Sequence, residues 1–238
     1  MSAAPRTPRA APAPAEPPLL VGPGTVFTPH RMLERAGVLI ADGRVRALGP
    51  YAELRRRART ARTLDAEHAV ILPGLINAHT HLYSALARGM PVPGEPAANF
   101  VQILERLWWR LDKVLERDDH ETSALVGLIE CVRCGVTTIV DHHASPYACV
   151  GSLAALRRAV ERVGVRAALC YEVSDRDGAL ATRAGIEENL RLARALRRLP
   201  SDRVTAMFGL HALFTVSDRT LGECVEAARA EGLGLHLH

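Results

Sequence analysis

The sequence predicts an α/β fold. The expected form is a partial (β/α)8, TIM-like barrel of about five of its eight strand–helix units, preceded by a small β-sandwich portion. Three observations carry this. From residue 71 onward, short apolar runs rich in β-branched residues alternate with amphipathic helical patterns. The polar residues of that region collect at the ends of the runs: His79 and His81, then Asp141, His142 and His143, then Glu172, His211, and finally His236 and His238. Ahead of them, Pro/Gly-punctuated residues 19–70 carry a hairpin signal, Asp42-Gly43 between Val38–Ala41 and Arg44–Leu48.

Composition bounds the answer before any motif does. A chain of 238 residues can bury a sizeable core, and 48% apolar with 24% charged residues is a globular balance. No apolar run reaches the length of a membrane span, so no membrane partner is expected. The net charge of +4 comes almost entirely from arginine, Lys113 being the one lysine. Pairs such as Arg157–Arg158 and Arg197–Arg198 read as solvated helix faces. The basic run from Leu54 to Arg62 has no aromatic beyond Tyr51, so no nucleic-acid partner is expected. Five cysteines without framework spacing fit a reducing cytoplasm, and Cys131 with Cys134, lacking a second pair, reads as packing.

The chain divides into three parts. Residues 1–18 are Ala/Pro-rich, lack the apolar centre of a signal peptide, and are expected to be disordered. Residues 19–70 form the N-terminal part of the small β-sandwich domain. Residues 71–238 form an incomplete metal-dependent hydrolase barrel. Its strands are read at Ile71–His79, Val136–His142, Val165–Val173, Val204–His211 and Leu233–His238. Between the first two, Val101–Glu116 sets Leu104, Leu107, Trp108, Leu111 and Leu115 on one stripe. Asp119 is expected to cap the next helix, which stops at Gly135. Ser152 is expected to cap a third, stopping at Gly164, and Ser217 a further one ending at Gly232.

Five strands could also complete an open doubly wound sheet. Such a sheet concentrates its site at one crevice, whereas here nearly every strand end contributes a polar residue. No glycine-rich phosphate loop follows any strand. The barrel is therefore favoured, with its last three units missing.

In a strand, residues i and i+2 share a face, so His79 and His81 can offer two imidazoles to one ion. A lone H-x-H is equally the mark of a satisfied core histidine. What sharpens the metal reading is that other strands end in histidine too, His238 among them. Imidazole suits zinc and iron(II), and a catalytic site leaves one position open. A two-metal version bridged by a modified lysine needs Lys at a strand end. Lys113 lies in a helical stripe, so one divalent metal is expected, zinc first and Fe(II) second.

The segment LPGLINAHTHLYSALARG resembles the first barrel strand of the amidohydrolase superfamily, in its aminohydrolase and chlorohydrolase branch, and further the SsnA-type aminohydrolases. LERLWWRLDK (104–113), GVTTIVDHHASP (135–146) and GLHALFTVSD (209–218) support it, and the resemblance covers about residues 19–238. It implies metal ligands at His79, His81 and His238. It implies substrate contacts at His211, His143 and Trp109, with His142 and Trp108 beside the pocket and His236 supporting His238 from the same strand face. The implied activity is hydrolysis of a non-peptide C–N bond, deamination of a purine-like or other N-heterocyclic small molecule, with dechlorination following the same addition–elimination logic. The full-length form could be homo-oligomeric.

The same resemblance expects a general acid/base glutamate three residues beyond His238, a further histidine, and a strand-eight aspartate. The chain therefore reads as truncated, its catalytic proton-transfer residues lying past residue 238, and it is not expected to be a competent hydrolase by itself. The alternative is a catalytically inactive fragment, or a degenerate protein that only binds metal.

Overall fold

The computed structural model describes residues 17–238, so the tail expected over residues 1–18 lies outside the described residues apart from Pro17 and Pro18. The chain separates into two compact units, Met1–Pro73 and Gly74–His238.

In the first unit, β1 (Leu19–Phe27), β2 (Met32–Ala41), β3 (Arg44–Pro50), β4 (Arg62–Leu64) and β5 (Val70–Ile71) form one sheet, with a short helix α1 (Tyr51–Arg57) after β3. The order is β3-β2-β1-β4, and β5 also pairs with β1. The Asp42-Gly43 turn forms as read: both residues hold positive φ, +53° and +67°, the backbone of a tight two-residue hairpin. One face of β1 is buried by alternation, with Leu20 against Leu54 and Ala61, and Val26 against Ala36 and Val38.

The second unit repeats strand and helix. Its strands are β6 (Leu75–Thr80), β7 (Val136–His143), β8 (Arg166–Tyr171), β9 (Val204–Ala206), β10 (Phe208–Leu210) and β11 (Leu235–Leu237). All their pairings are parallel: β6-β7-β8-β9 in one sheet and β10-β11 in another. A 3-10 turn (Leu82–Ala87), α2 (Phe100–Ile103), a π turn (Leu104–Trp108), α3 (Trp109–Val114) and α4 (Arg117–Arg133) separate β6 from β7. Then α5 (Ser152–Val163), α6 (Ala179–Arg198) and α7 (Asp218–Ala230) follow β7, β8 and β10. The core lies between strands and helices, where Leu128, Ile139, Leu153, Leu156, Val160 and Leu169 are fully buried. Each such side chain contributes about 1.5–3 kcal/mol.

Two strands differ from the sequence reading. The first does not run unbroken from Ile71. Val70–Ile71 pairs with β1, and the barrel strand starts only at Leu75. Pro73 has no N–H for a ladder, and a Cβ on Gly74 would overlap the Thr137 side chain, so the chain must turn there. The fourth strand is split at Met207, whose N–H bonds to the Leu169 carbonyl. Gly209 then passes against the Tyr171 carbonyl where a Cβ would not fit.

Among the helix ends, Ser217 caps α7 as expected, accepting from the Thr220 N–H at 3.2 Å. Asp119 works from inside the first turn of α4 instead of capping it, accepting from the Glu116 N–H at 2.8 Å. Ser152 is not a cap either. It is the first residue of α5, and its hydroxyl is buried without a partner. The orphan donors there, Gly151 N–H and Leu153 N–H, go to the carboxylate of Glu188 on α6, at 2.9 and 3.0 Å. A buried carboxylate on the neighbouring helix satisfies two N–H groups and complements the helix dipole, which one hydroxyl cannot.

Asp141 is the second buried carboxylate that organises the fold. Its Oδ1 accepts from the Leu82 N–H at 2.7 Å, tying the turn after His81 to β7, while Oδ2 has no partner. Burial raises its pKa to about 7.

Two predictions follow from these carboxylates. Glu188→Ala strands two buried N–H groups and should cost about 2–3 kcal/mol in urea denaturation, whereas Ser152→Ala should cost less than about 0.5 kcal/mol. Because the folded-state pKa of Asp141 lies above its unfolded value, the folded chain binds more protons between the two. The stability of the metal-free protein relative to Asp141→Asn should therefore fall as pH rises from about 4 to about 7 and level off above that. Parallel stability–pH curves for the two proteins would contradict it.

Candidate metal centre

His79 ends β6, His81 follows two residues later, and His238 follows β11. Their Nε2 atoms converge: His79 Nε2 lies 3.0 Å from that of His81 and 2.9 Å from that of His238. The other ring nitrogens of the outer pair are engaged. His81 Nδ1 lies 2.7 Å from the His142 carbonyl and His238 Nδ1 2.8 Å from the His211 carbonyl. A carbonyl only accepts, so both Nδ1 atoms carry the proton and both Nε2 atoms present a lone pair.

This leaves the cluster short of protons. At most one N–H, on His79 Nε2, can serve two facing lone pairs. Burial lowers the pKa of His81 to about 4, and lowers that of His238 as well, so neither gains a proton near neutrality. Three neutral imidazoles aimed at one point are a donor set for a divalent ion.

Beside them opens a cavity of about 560 Å³. Trp108, Trp109, Phe100 and Phe214 make much of its apolar lining, and Tyr83, Asp112, Glu172, Arg176 and His211 supply its polar groups. The π turn stands Leu104 over Trp109, five residues on, so that both reach the cavity. His211 bonds Thr215 Oγ1 through Nδ1 at 2.8 Å, and its ring meets Trp109 edge-on at 6.4 Å. Burial lowers its pKa to about 4, so it is neutral too.

Of the residues singled out in the sequence, His79, His81, His238, His211, Trp108 and Trp109 all line this one cavity. His143 does not. It is fully buried, bonded to Ser145 Oγ at 2.9 Å, with its ring edge-on to His120 and Tyr83. Alternation along β7 explains this: His142 points into the barrel and His143 to the opposite face. His142 is bonded through Nδ1 to His236 Nδ1 at 2.8 Å.

Sequence reasoning missed Tyr83, Asp112 and Arg176. Arg176 Nη2 bonds Asp112 Oδ2 at 2.6 Å and Glu172 Oε1 at 3.0 Å, Nε bonds Asp177 Oδ2 at 3.2 Å, and the guanidinium lies 5.4 Å from the Trp109 ring centre. Asp112 had been absorbed into an apolar helical stripe, and its partner lies 64 positions away. The one available signal was Glu172 at a strand end with Arg176 four residues on.

The profile of the amidohydrolase family matches residues 70–238, and that of an imidazolonepropionase-like composite domain of bacteria matches residues 36–61. A 5-methylthioadenosine/S-adenosylhomocysteine deaminase of Haloarcula marismortui is 33% identical over 223 residues, covering 92% of this chain and 48% of that protein. A 5'-deoxyadenosine deaminase of Methanosarcina mazei is 29% identical, covering 87% and 44%. Among solved structures, an adenosine deaminase from Xanthomonas campestris with bound zinc superposes with a TM-score of 0.80 at 23% identity, covering 92% of this chain and 48% of that one. Guanine deaminase of E. coli gives 0.71 at 16%, covering 93% and 52%. The chain thus spans about half the length of the curated relatives it matches. No helix among the described residues is long and apolar enough to cross a membrane. With the family profile matched across the whole second unit, and with the fold shared with those structures, the chain belongs to the amidohydrolase family.

Proposed function

We propose that this chain supplies the metal-holding part of a hydrolase that deaminates a purine-like or other N-heterocyclic small molecule. The observation that carries the reading is the convergence of three Nε2 atoms from the first and fifth barrel strands, two of them kept unprotonated by backbone carbonyls. His79, His81 and His238 would hold one divalent transition metal, zinc before Fe(II). When bound, such an ion acidifies water to near pH 7 and so supplies the nucleophile for hydrolysis.

The remaining roles fall to the cavity. Trp109 and Phe214 offer apolar faces to a flat ring. His211, neutral and fixed through Thr215, presents its Nε2 edge to that ring. His143, held on the far side of β7, supports Tyr83 and does not touch substrate. The named relatives support the substrate class, since they deaminate adenosine derivatives. Because they are about twice as long, the activity proposed is that of a chain that also carries the family's proton-shuttling glutamate. A reducing cytoplasm fits the five cysteines, all of them free thiols.

Two measurements test this. The double variant His79→Ala/His81→Ala should lose nearly all bound metal by elemental analysis, while His68→Ala, in the first unit, should retain it. Equal metal content in the double variant and the wild type would refute the ligand assignment. In the complete enzyme, His211→Ala should keep its metal stoichiometry and lower kcat/KM by about 10²-fold or more. Loss of the metal instead would make His211 a ligand.

A further inference from the structure

Glu172 stands where the metal centre meets the apolar cavity. It is 4% exposed, and its two oxygens have different surroundings. Oε1 accepts from Arg176 Nη2 at 3.0 Å. Oε2 has no hydrogen bond among the described residues; the nearest nitrogen, His142 Nε2, is 3.9 Å away. A carboxylate oxygen of Glu172 and ring nitrogens of His142 and His238 lie within 4.8 Å of one another, so the free oxygen sits at the edge of the metal centre.

The rest of this wall is fixed and acidic. Asp112 and Asp177 join Glu172 around Arg176, and Lys113 reaches Asp177 at 2.9 Å. Three carboxylates thus face two cations. Arg176 is fully committed to the carboxylates and stacks against Trp109, so it cannot swing out to receive an anion. A buried acceptor without a donor is costly, and the cavity is where a donor can come from.

We propose that Glu172 is a specificity-determining residue that accepts an N–H from the substrate, selecting amidine- or guanidine-type rings and rejecting ligands with an anionic group on that side. Arg176 and Asp112 act as positioning residues that hold the carboxylate with Oε2 toward the cavity. The proposal rests on the reading of the cavity as the substrate site, but its test does not require the metal or turnover.

Trp108 and Trp109 are the only tryptophans and both line the cavity, so intrinsic fluorescence reports its occupancy. The chelator-treated chain is titrated at pH 9 with benzamidine, benzamide and benzoate, three ligands of one shape and different charge. That pH lies above the value of about 8 to which burial raises Glu172. Benzamidine should bind about tenfold or more tighter than benzamide, and benzoate weakest. In Glu172→Gln, Oε1 can still accept from Arg176 while an amide N–H₂ replaces the free oxygen, so the preference for benzamidine over benzoate should fall at least tenfold. Benzoate binding as well as benzamidine, no quenching by any of the three, or an unchanged ratio in Glu172→Gln would each overturn the proposal. Should Glu172→Gln fail to fold by circular dichroism, the wild-type series decides alone. Failure of the metal reading shows separately, as absence of metal from the same preparation before chelation.

Discussion

Three imidazole nitrogens meet with too few protons to satisfy one another, and the upper face of the second unit is organised around that deficit. His81 and His238 are each oriented by a backbone carbonyl on the adjacent strand, that of His142 for the first and that of His211 for the second. A carbonyl at a strand end cannot be rotated away as a side chain can. The ligand geometry is therefore written into the parallel register of β6 with β7 and of β10 with β11. Asp141 adds a third tie by holding the Leu82 N–H immediately after His81. Parallel pairing makes this possible, since it brings every strand's C-terminal end to one edge of the sheet.

The cavity beside the centre joins two kinds of wall. Aromatic rings provide a flat apolar slot, and the Asp112–Arg176–Glu172 group provides a rigid polar one. The two are not independent, because the guanidinium that bridges the carboxylates also lies against Trp109. A buried ion pair is weak evidence of stability, since desolvation offsets much of its attraction. Its retention beside a candidate site fits a role in placing atoms.

What could be read from the chain alone was what local spacing encodes. The i, i+2 pair His79 and His81, the Asp42-Gly43 hairpin and the Ser217 cap each depend on neighbours in sequence, and each formed as expected. The site itself was legible in part, since six of the residues it gathers end apolar runs or lie in one helical stripe. What was not legible depends on distant partners. Glu188 caps α5 from 37 positions away, displacing the local candidate Ser152. Arg176 finds Asp112 across 64 positions. His143 was misplaced because adjacent strand residues point oppositely, and the two histidines of Asp141-His142-His143 cannot be told apart without the register. Pro73 and Gly74 were seen as a bend, but only the Thr137 side chain shows why the strand must restart there.

The π turn at Leu104–Trp108 has a consequence for how this segment can change over time. A π turn holds one residue more than the α-helix it interrupts. Losing that residue would restore regular winding but rotate everything after it by about 100°, the angle each residue occupies in a 3.6-residue turn. Asp112 would then leave Arg176, and Trp109 would leave the cavity. Point substitutions here can retune the slot gradually, but a single-codon deletion would dismantle it at once. The length of this stretch is thus under a stricter constraint than the identity of most residues within it.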